Sequence, residues 1–418
     1  MSDIANYRTD HLFLLVGTNP LPNLVAARLL ANKQVHLFFS EDTEREGIPV
    51  TDEYAGWLTQ MINKDPSPNL DIKSKGLNDV FSEKIYGTVK KEIDSLVRAK
   101  ELNQGDTVGL NYTGATKPMS VHTYRAIAEH LKNCGFEVIF SYLDPRRLSL
   151  IFDGDMHPYK IEPDMLEINM ETMVRLHGYK IPPGSGREKP DSHTLPIAKA
   201  IGEVCMKGQL PAWQHWINGD MQELPFANGP LAPVSKAFSE VCEKTGNPFT
   251  SQGLATAMGK YPAIIKYSKW LRSTWLEEIA LAAMVELQDE LPLTSPMAGI
   301  EPVPVRNSKK HSGAVMNFEL DLAAIYGHQL FAISCIASDR SGGETKKHLM
   351  EAYVRAQQLG GEEARVALLC CADNADEIAR ELKQEWHVDK HVKVFDRRSL
   401  YDLKGGFRSW ILENRKVK

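Results

Sequence analysis

The sequence is poor in the features that would assign it at once. Its 418 residues include only six cysteines, Cys134, Cys205, Cys242, Cys335, Cys370 and Cys371, scattered and without a C-x-x-C spacing. A disulfide framework and a cysteine zinc site are therefore not expected, and reduced thiols in apolar runs are. Long hydrophobic runs are missing too: the best, such as His11 to Val16, have strand length, and no basic stretch followed by a long apolar one opens the chain. No membrane association is expected, and the expected location is the cytoplasm. Charge of one sign is lacking, with 49 Lys and Arg against 54 Asp and Glu for a net charge of -5. Any nucleic-acid contact must then come from a local surface rather than from overall charge. Neither a Walker motif nor a G-x-G-x-x-G fingerprint occurs, which disfavours a nucleoside triphosphate or dinucleotide cofactor.

What is present is an ordinary globular composition, 43% hydrophobic and 25% charged, at a length beyond one hydrophobic core. Over the first 150 residues short apolar runs alternate with amphipathic stretches, the pattern of a parallel sheet covered by helices. Strands are expected at His11 to Val16, Gln34 to Ser40, Leu70 to Lys73, Asp106 to Tyr112, Glu137 to Tyr142 and Ser149 to Phe152. Helices are expected at Leu24 to Ala31, Asp52 to Ile62, Val80 to Ala99 and Met119 to Asn133, with a Pro66-Ser67-Pro68 turn between the second and the third strand-like run. From Asp153 to Ser192 the chain turns polar and rich in Pro and Gly, which reads as a linker or small connector rather than core. Helices at Leu195 to Met206 and Pro233 to Lys244 follow. The last part opens with an apolar helix from Trp270 to Leu287 carrying Glu277 and Glu278. Strands Ala314 to Ala323 and Gln329 to Ile336, a loop through Ser341-Gly342-Gly343, a helix Thr345 to Gln358, a strand Arg365 to Cys371, a helix Ala375 to Trp386 and a strand His391 to Phe395 complete the pattern. The expected division is 1–155, 156–265 and 266–418.

Two loops fall where such sheets bind ligands, outside the carboxyl ends of strands, where helix N-termini offer free N–H groups to anions. They are Gly17-Thr18-Asn19-Pro20 and Asn111-Tyr112-Thr113-Gly114-Ala115-Thr116-Lys117-Pro118-Met119. Gly17 and Gly114 permit close backbone approach, Thr18, Asn19, Thr113 and Thr116 offer hydrogen bonds, and Lys117 adds a cation. Tight strand-to-helix turns would use the same residue types.

With the order of elements around them, these residues resemble the CRISPR-associated Rossmann fold (CARF) domain. That resemblance implies binding of a cyclic oligoadenylate, cyclic tetra-adenylate first, across the two-fold axis of a homodimer, by Gly17, Thr18, Asn19, Pro20, Asn111, Thr113, Gly114, Ala115, Thr116, Lys117 and Met119. In the C-terminal part, Trp275-Leu276-Glu277, Asn317-Phe318-Glu319-Leu320-Asp321, Phe331 to Ile336 and Lys346-Lys347-His348-Leu349-Met350-Glu351 resemble, in order, the PD-(D/E)xK nuclease core. The implied fold class is α/β: an N-terminal Rossmann-like CARF domain plus a C-terminal restriction-endonuclease-like α/β domain.

Gathered carboxylates hold Mg²⁺ or Mn²⁺ in such chemistry, the metal polarises the phosphate and acidifies a water, and a lysine steadies developing charge. The resemblance implies Glu277 and Asp321 as metal ligands, Glu319 and Glu351 as further acids, and Ser334 on the second strand. Ile336 stands where a lysine is expected. Either Lys346 or Lys347 on the next helix takes that role, or the nuclease is degenerate. Glu278 reads as a solvated helix charge. The implied function is a cyclic-oligoadenylate-activated, metal-dependent nuclease cutting DNA, RNA or both in type III CRISPR antiviral defence. The alternative is a receptor whose nuclease domain acts by binding alone. Slow cleavage of the ring by Thr116 and Lys117, and a small-molecule enzyme on a Rossmann scaffold, are further readings.

Overall fold

The structure is a computed structural model that describes residues 3–41, 50–64, 69–219, 221, 223–225, 227–305, 318–338, 343–373, 375–386 and 392–415. The expected turn at Pro66 to Pro68, the first residues of the strand expected from Ala314, Asn317, the loop at Ser341-Gly342 and His391 lie outside the described residues.

The first sheet grows from β1 (Thr9–Val16), whose residues are almost all buried, as expected for a parallel strand covered on both faces. After α1 (Leu21–Leu30) come β2 (Ala31–Ser40), α2 (Thr51–Asn63), β3 (Asp71–Leu77), α3 (Ser82–Arg98), β4 (Val108–Asn111), α4 (Lys117–Asn133), β5 (Val138–Asp144), β6 (Ser149–Phe152) and β7 (Tyr159–Lys160). The strand order is β3-β2-β1-β4-β5-β6-β7, parallel through β5 and antiparallel beyond it. This is a Rossmann-like sheet, and its order reverses between β1 and β4. In α3, Ile85, Val89, Ile93 and Leu96 recur at helical spacing and pack with α4 on one face of the sheet.

The segment read as a polar connector is partly core. It contains α5 (Met170–Arg175) and β8 (Tyr179–Lys180), and Ile161, Leu166, Ile168, Met173, Val174 and Leu176 are buried against the other face of the first sheet. Its Pro and Gly mark turns between short elements whose apolar residues are too far apart to show a period.

Four helices follow, α6 (Leu195–Met206), α7 (Leu210–Asn218), α8 (Ala232–Lys244) and α9 (Ser251–Ala257), and then α10 (Trp275–Glu286), which a π-helical turn at Trp270–Thr274 leads into. The second sheet is built from β9 (Leu293–Ile300), β11 (Leu320–Tyr326), β12 (Gln329–Ile336), β13 (Arg365–Cys370) and β14 (Val392–Phe395), in the order β14-β13-β12-β11-β9. The short β10 (Val303–Pro304) pairs instead with β8. α11 (Gly343–Gly360) precedes β13, α12 (Ala375–Trp386) precedes β14, and α13 (Leu403–Glu413) closes the chain. β9 was not among the expected strands, and it carries Pro296 and Gly299 within it. It survives them as an edge strand, where a missing N–H leaves no ladder bond unmade.

Alternation along the central strands feeds two cores. Leu330 and Ala332 of β12, with Val366 and Leu368 of β13, join the core that also holds α1, α2 and residues 161–179. Phe331 and Ile333, with Ala367 and Leu369, face the core formed with α6, α8, α10 and α13. Among the described residues no helix is long and apolar enough to cross a membrane.

Candidate functional site

The two loops meet at the β1/β4 switch point and form one wall of a cleft of about 580 Å³, within the range of small-molecule sites. Gly17, Thr18, Asn19, Thr113, Gly114 and Ala115 line it. The approach is so close that a Cβ on Gly114 would overlap the Leu15 carbonyl oxygen. Ala115 pays for the same geometry with φ +76, a left-handed conformation that stores strain at a ligand loop.

The remaining loop residues do other work. Asn111 is fully buried, donates from Nδ2 to Ser141 Oγ at 3.1 Å and accepts from Thr113 Oγ1 at 2.6 Å, so it fixes the loop from beneath. Thr113 Oγ1 in turn accepts from the Leu143 N–H at 2.7 Å. Thr116 caps α4, its Oγ1 accepting from the Met119 N–H at 3.4 Å, while Met119 and Pro20 are buried in the core. Lys117 is exposed in the first turn of α4, outside the cleft lining.

Further lining residues were not among the expected ligand contacts. Tyr112 and Tyr142, with ring centroids 5.5 Å apart, offer apolar faces for stacking. Tyr112 and Tyr124 both donate to Asp153, at 2.9 and 2.7 Å, and burial, with that bond added, pushes the Tyr112 hydroxyl above its usual range. Glu362 and Glu363 close the cleft from the turn between α11 and β13. Tyr112 sat inside the quoted motif. The glutamates lie far away in sequence and carry no local signal.

The second site lies between α10 and the β11–β12 hairpin. α10 is apolar all round and buried, and it takes Glu277 and Glu278 inside with it. Glu278 is 0% exposed, which corrects its reading as a solvated charge. A residue that sequence reasoning missed accounts for this. Arg187 exchanges both backbone hydrogen bonds with Ala298 of β9, and its guanidinium reaches Glu278 Oε2 and, at 3.4 Å, Glu277 Oε2. Burial first, then the nearby Asp321, pushes the Glu277 carboxyl up to about 8, with Arg187 opposing. Burial likewise raises Asp321, while bonds from the Cys335 N–H at 2.8 Å and Ser334 Oγ at 3.1 Å pull it down. Glu319, exposed and just before β11, is raised by burial and by Asp321, and lowered by Lys269.

The acids expected from sequence therefore share one electrostatic neighbourhood, Glu351 included through its effect on Asp321 and Glu319. Lys346 is elsewhere engaged, pairing with Glu381 of α12 at 3.1 Å, and Lys347 is exposed. The lysine felt by Glu277 and Glu319 is Lys269, at the start of the π-helical turn. Nothing in its local sequence marked it. Among the described residues no group of three or more His, Cys, Asp or Glu side chains is placed to hold a metal ion. Glu277 and Asp321 are carboxyls raised first by burial and, at Glu277, by Asp321 as well, with Arg187 opposing. Mg²⁺ is commonly held by one or two carboxylates together with substrate phosphate and water, and Glu277 and Asp321 fit that arrangement.

No protein-family model matches the sequence, and no curated protein does. The fold is similar to that of solved structures over nearly its whole length. Can2 from Sulfobacillus thermosulfidooxidans, in complex with cyclic tetra-adenylate (cA4), aligns with a TM-score of 0.68 at 11% identity, covering 99% of this chain and 100% of its own. Protein VC1899 from Vibrio cholerae aligns at 0.64 and 13% identity over 97% and 98%. A type III CRISPR defence DNA nuclease activated by cyclic oligoadenylate aligns at 0.50 and 15% identity, covering 87% of this chain and 45% of its own.

Proposed function

We propose that this chain is a cyclic-oligoadenylate-activated nuclease of type III CRISPR defence, a homodimer whose β1/β4 clefts hold the ring and whose Glu277–Asp321 cluster cuts DNA, RNA or both. The observation that carries the reading is that α11 runs between the two sites. His348 and Glu351 near its start are felt by Asp321, and its end leads through Gly361 to Glu362 and Glu363 in the cleft. The fold shared with a protein bound to cyclic tetra-adenylate supports the choice of ligand.

In this reading Glu277 and Asp321 hold Mg²⁺ or Mn²⁺, which when bound polarises the scissile phosphate and supplies a reactive water. Ser334 and the Cys335 N–H orient Asp321. Lys269 takes the place of the lysine absent at Ile336, its ammonium steadying charge that develops on the phosphate. A ring that binds the cutting arrangement more tightly than the resting one shifts the population by that difference in affinity.

The test is incubation with plasmid and with single-stranded RNA in Mn²⁺, with and without cyclic tetra- and hexa-adenylate. Ring-dependent cutting that Asp321→Ala abolishes is the expected result. Tight ring binding with no cutting of either substrate selects the second reading, a receptor without nuclease activity, which the engagement of Glu277 and Glu278 by Arg187 favours.

A further inference from the structure

In a chain of net charge -5, the stretch between Glu243 and Glu277 carries Lys244, Lys260, Lys266, Lys269 and Arg272 and neither Asp nor Glu. Its second half folds as a two-sided run. A 3₁₀ turn at Ile264–Tyr267, then Ser268 and Lys269 in right-handed helical backbone, then the π-helical turn carry the chain into α10. Ile264, Tyr267, Leu271 and Trp275 are buried, at spacings of three and four. That turns Lys266, Lys269 and Arg272, spaced by three, toward solvent, where each is exposed. Lys260 is tied back to the same run, since the Lys260 and Tyr261 N–H groups both donate to the Tyr267 hydroxyl, at 2.6 and 2.9 Å. Among the described residues none of these four cations meets a carboxylate at ion-pair distance. Arg272 donates instead to Asn218 Oδ1.

Apolar side chains lie exposed among the cations. Tyr261 is 38% exposed, its ring edge-to-face with Tyr267 at 5.0 Å and the Lys260 ammonium 5.3 Å from its centroid. Ile265, beside Lys266, is 56% exposed. Cations that track phosphates, with an aromatic ring on which a base can stack, are what a single strand requires of a protein surface. The row ends at Lys269, whose charge Glu277 and Glu319 feel, so a strand lying along it arrives at the acids. Building on the nuclease reading of those acids, we propose that Lys260, Tyr261, Lys266 and Arg272 form a docking surface for single-stranded nucleic acid that delivers the strand to the Glu277–Asp321 cluster. The surface contacts phosphates and base faces, which DNA and RNA share.

Fluorescence anisotropy of the full chain with labelled single-stranded DNA and RNA oligonucleotides, in EDTA and across a range of salt concentrations, tests this without cutting. Lys260→Gln combined with Lys266→Gln should weaken binding of both strands roughly tenfold. It should also flatten the plot of log affinity against log salt by about 1.4, two phosphate contacts at roughly 0.7 each. Tyr261→Ala should weaken binding roughly tenfold at unchanged slope, since a lost stack releases no counterions. Lys90→Gln combined with Lys91→Gln, which removes the same charge from the exposed face of α3, should change neither quantity. Affinity and slope unmoved by the Lys260 and Lys266 changes, or moved equally by those at Lys90 and Lys91, overturn the surface, and so does a parent that binds neither oligonucleotide. Surface-dependent binding by a parent that cuts nothing in Mn²⁺ and ring leaves the surface standing as a binding site and removes the nuclease reading alone.

Discussion

Ser334 and Asp321 face each other across the β11–β12 hairpin, with Ser334 Oγ donating to Asp321 Oδ2 at 3.1 Å and the Cys335 N–H donating to the same oxygen at 2.8 Å. The acid is thus aimed from its neighbouring strand. Ser334→Ala removes one of two bonds and should slow cutting roughly tenfold, at a stability cost of about 1 kcal/mol, because the backbone bond remains. Asp321→Ala should remove cutting altogether while ring binding persists. Turnover measured beside ring affinity separates the two effects, and a Ser334→Ala variant as inactive as Asp321→Ala would show that the hydroxyl does more than orient.

Lys269 is an ammonium that Glu277 and Glu319 feel. Lys269→Met should lower kcat by a factor of about 100 with KM little changed, the signature of charge stabilised in the transition state alone. Lys346→Met should cost far less, since Lys346 is engaged by Glu381. The reverse ranking in single-turnover assays would return the role to α11.

Gly114 cannot take a side chain without displacing the Leu15 carbonyl. Gly114→Ala should therefore distort the first wall of the cleft and weaken ring binding by at least tenfold, more than a comparable change at exposed Lys117, which lies outside the lining. Equal losses in a binding titration would mean that charge at the mouth matters more than the shape of the loop.

Arg187 joins the strap before α6 to two buried acids. Arg187→Gln leaves Glu278 buried without its cation, and the half-exposed position of the arginine limits the expected loss to about 1–3 kcal/mol. Saturating Mn²⁺ should restore part of that stability if the acids accept a metal in its place. A thermal melt indifferent to Mn²⁺ in both parent and variant would count against metal binding by Glu277.

Three histidines set the acid limit of the fold. Burial lowers His36 to about 3, His177 to about 4 and His328 to about 3, against 6.5 in an unfolded chain. The folded state keeps them neutral while the unfolded state takes up protons. Their contribution is complete above about pH 6.5 and is lost as pH falls toward 4, at about 1.4 kcal/mol per pH unit for each histidine. Glu363, raised to about 7, has the opposite sign between 4.5 and 7, so the histidine part is best isolated by difference. Urea midpoints at pH 7, 6 and 5 should fall less steeply in His328→Leu than in the parent. A parallel slope would remove His328 from the account.

The first sheet was legible in the sequence because its signals are local. Apolar runs of strand length, amphipathic helices and loops at strand ends each fit within a dozen residues, and β6, α6, β12 and α12 have the bounds expected of them. β9 was missed because proline marks an edge strand and a loop alike. The site residues divide in the same way. Gly17, Gly114, Glu277 and Asp321 sit in readable patterns, while Arg187, Lys269 and Glu363 reach their sites only through tertiary packing, and no spacing could announce them. Glu278 was misread because a glutamate on a helix is nearly always wet, and here the Arg187 guanidinium and the Asp191 N–H, both from a distant strap, compensate its burial.

The core in which β12 and β13 meet α1, α2 and residues 161–179 is continuous. A protein put together this way should denature in a single step, and its first sheet should not survive excision at position 155, since the cut would wet an apolar face that has no other cover. Anyone wishing to graft the first sheet onto a different domain would need to transplant the mating face along with it.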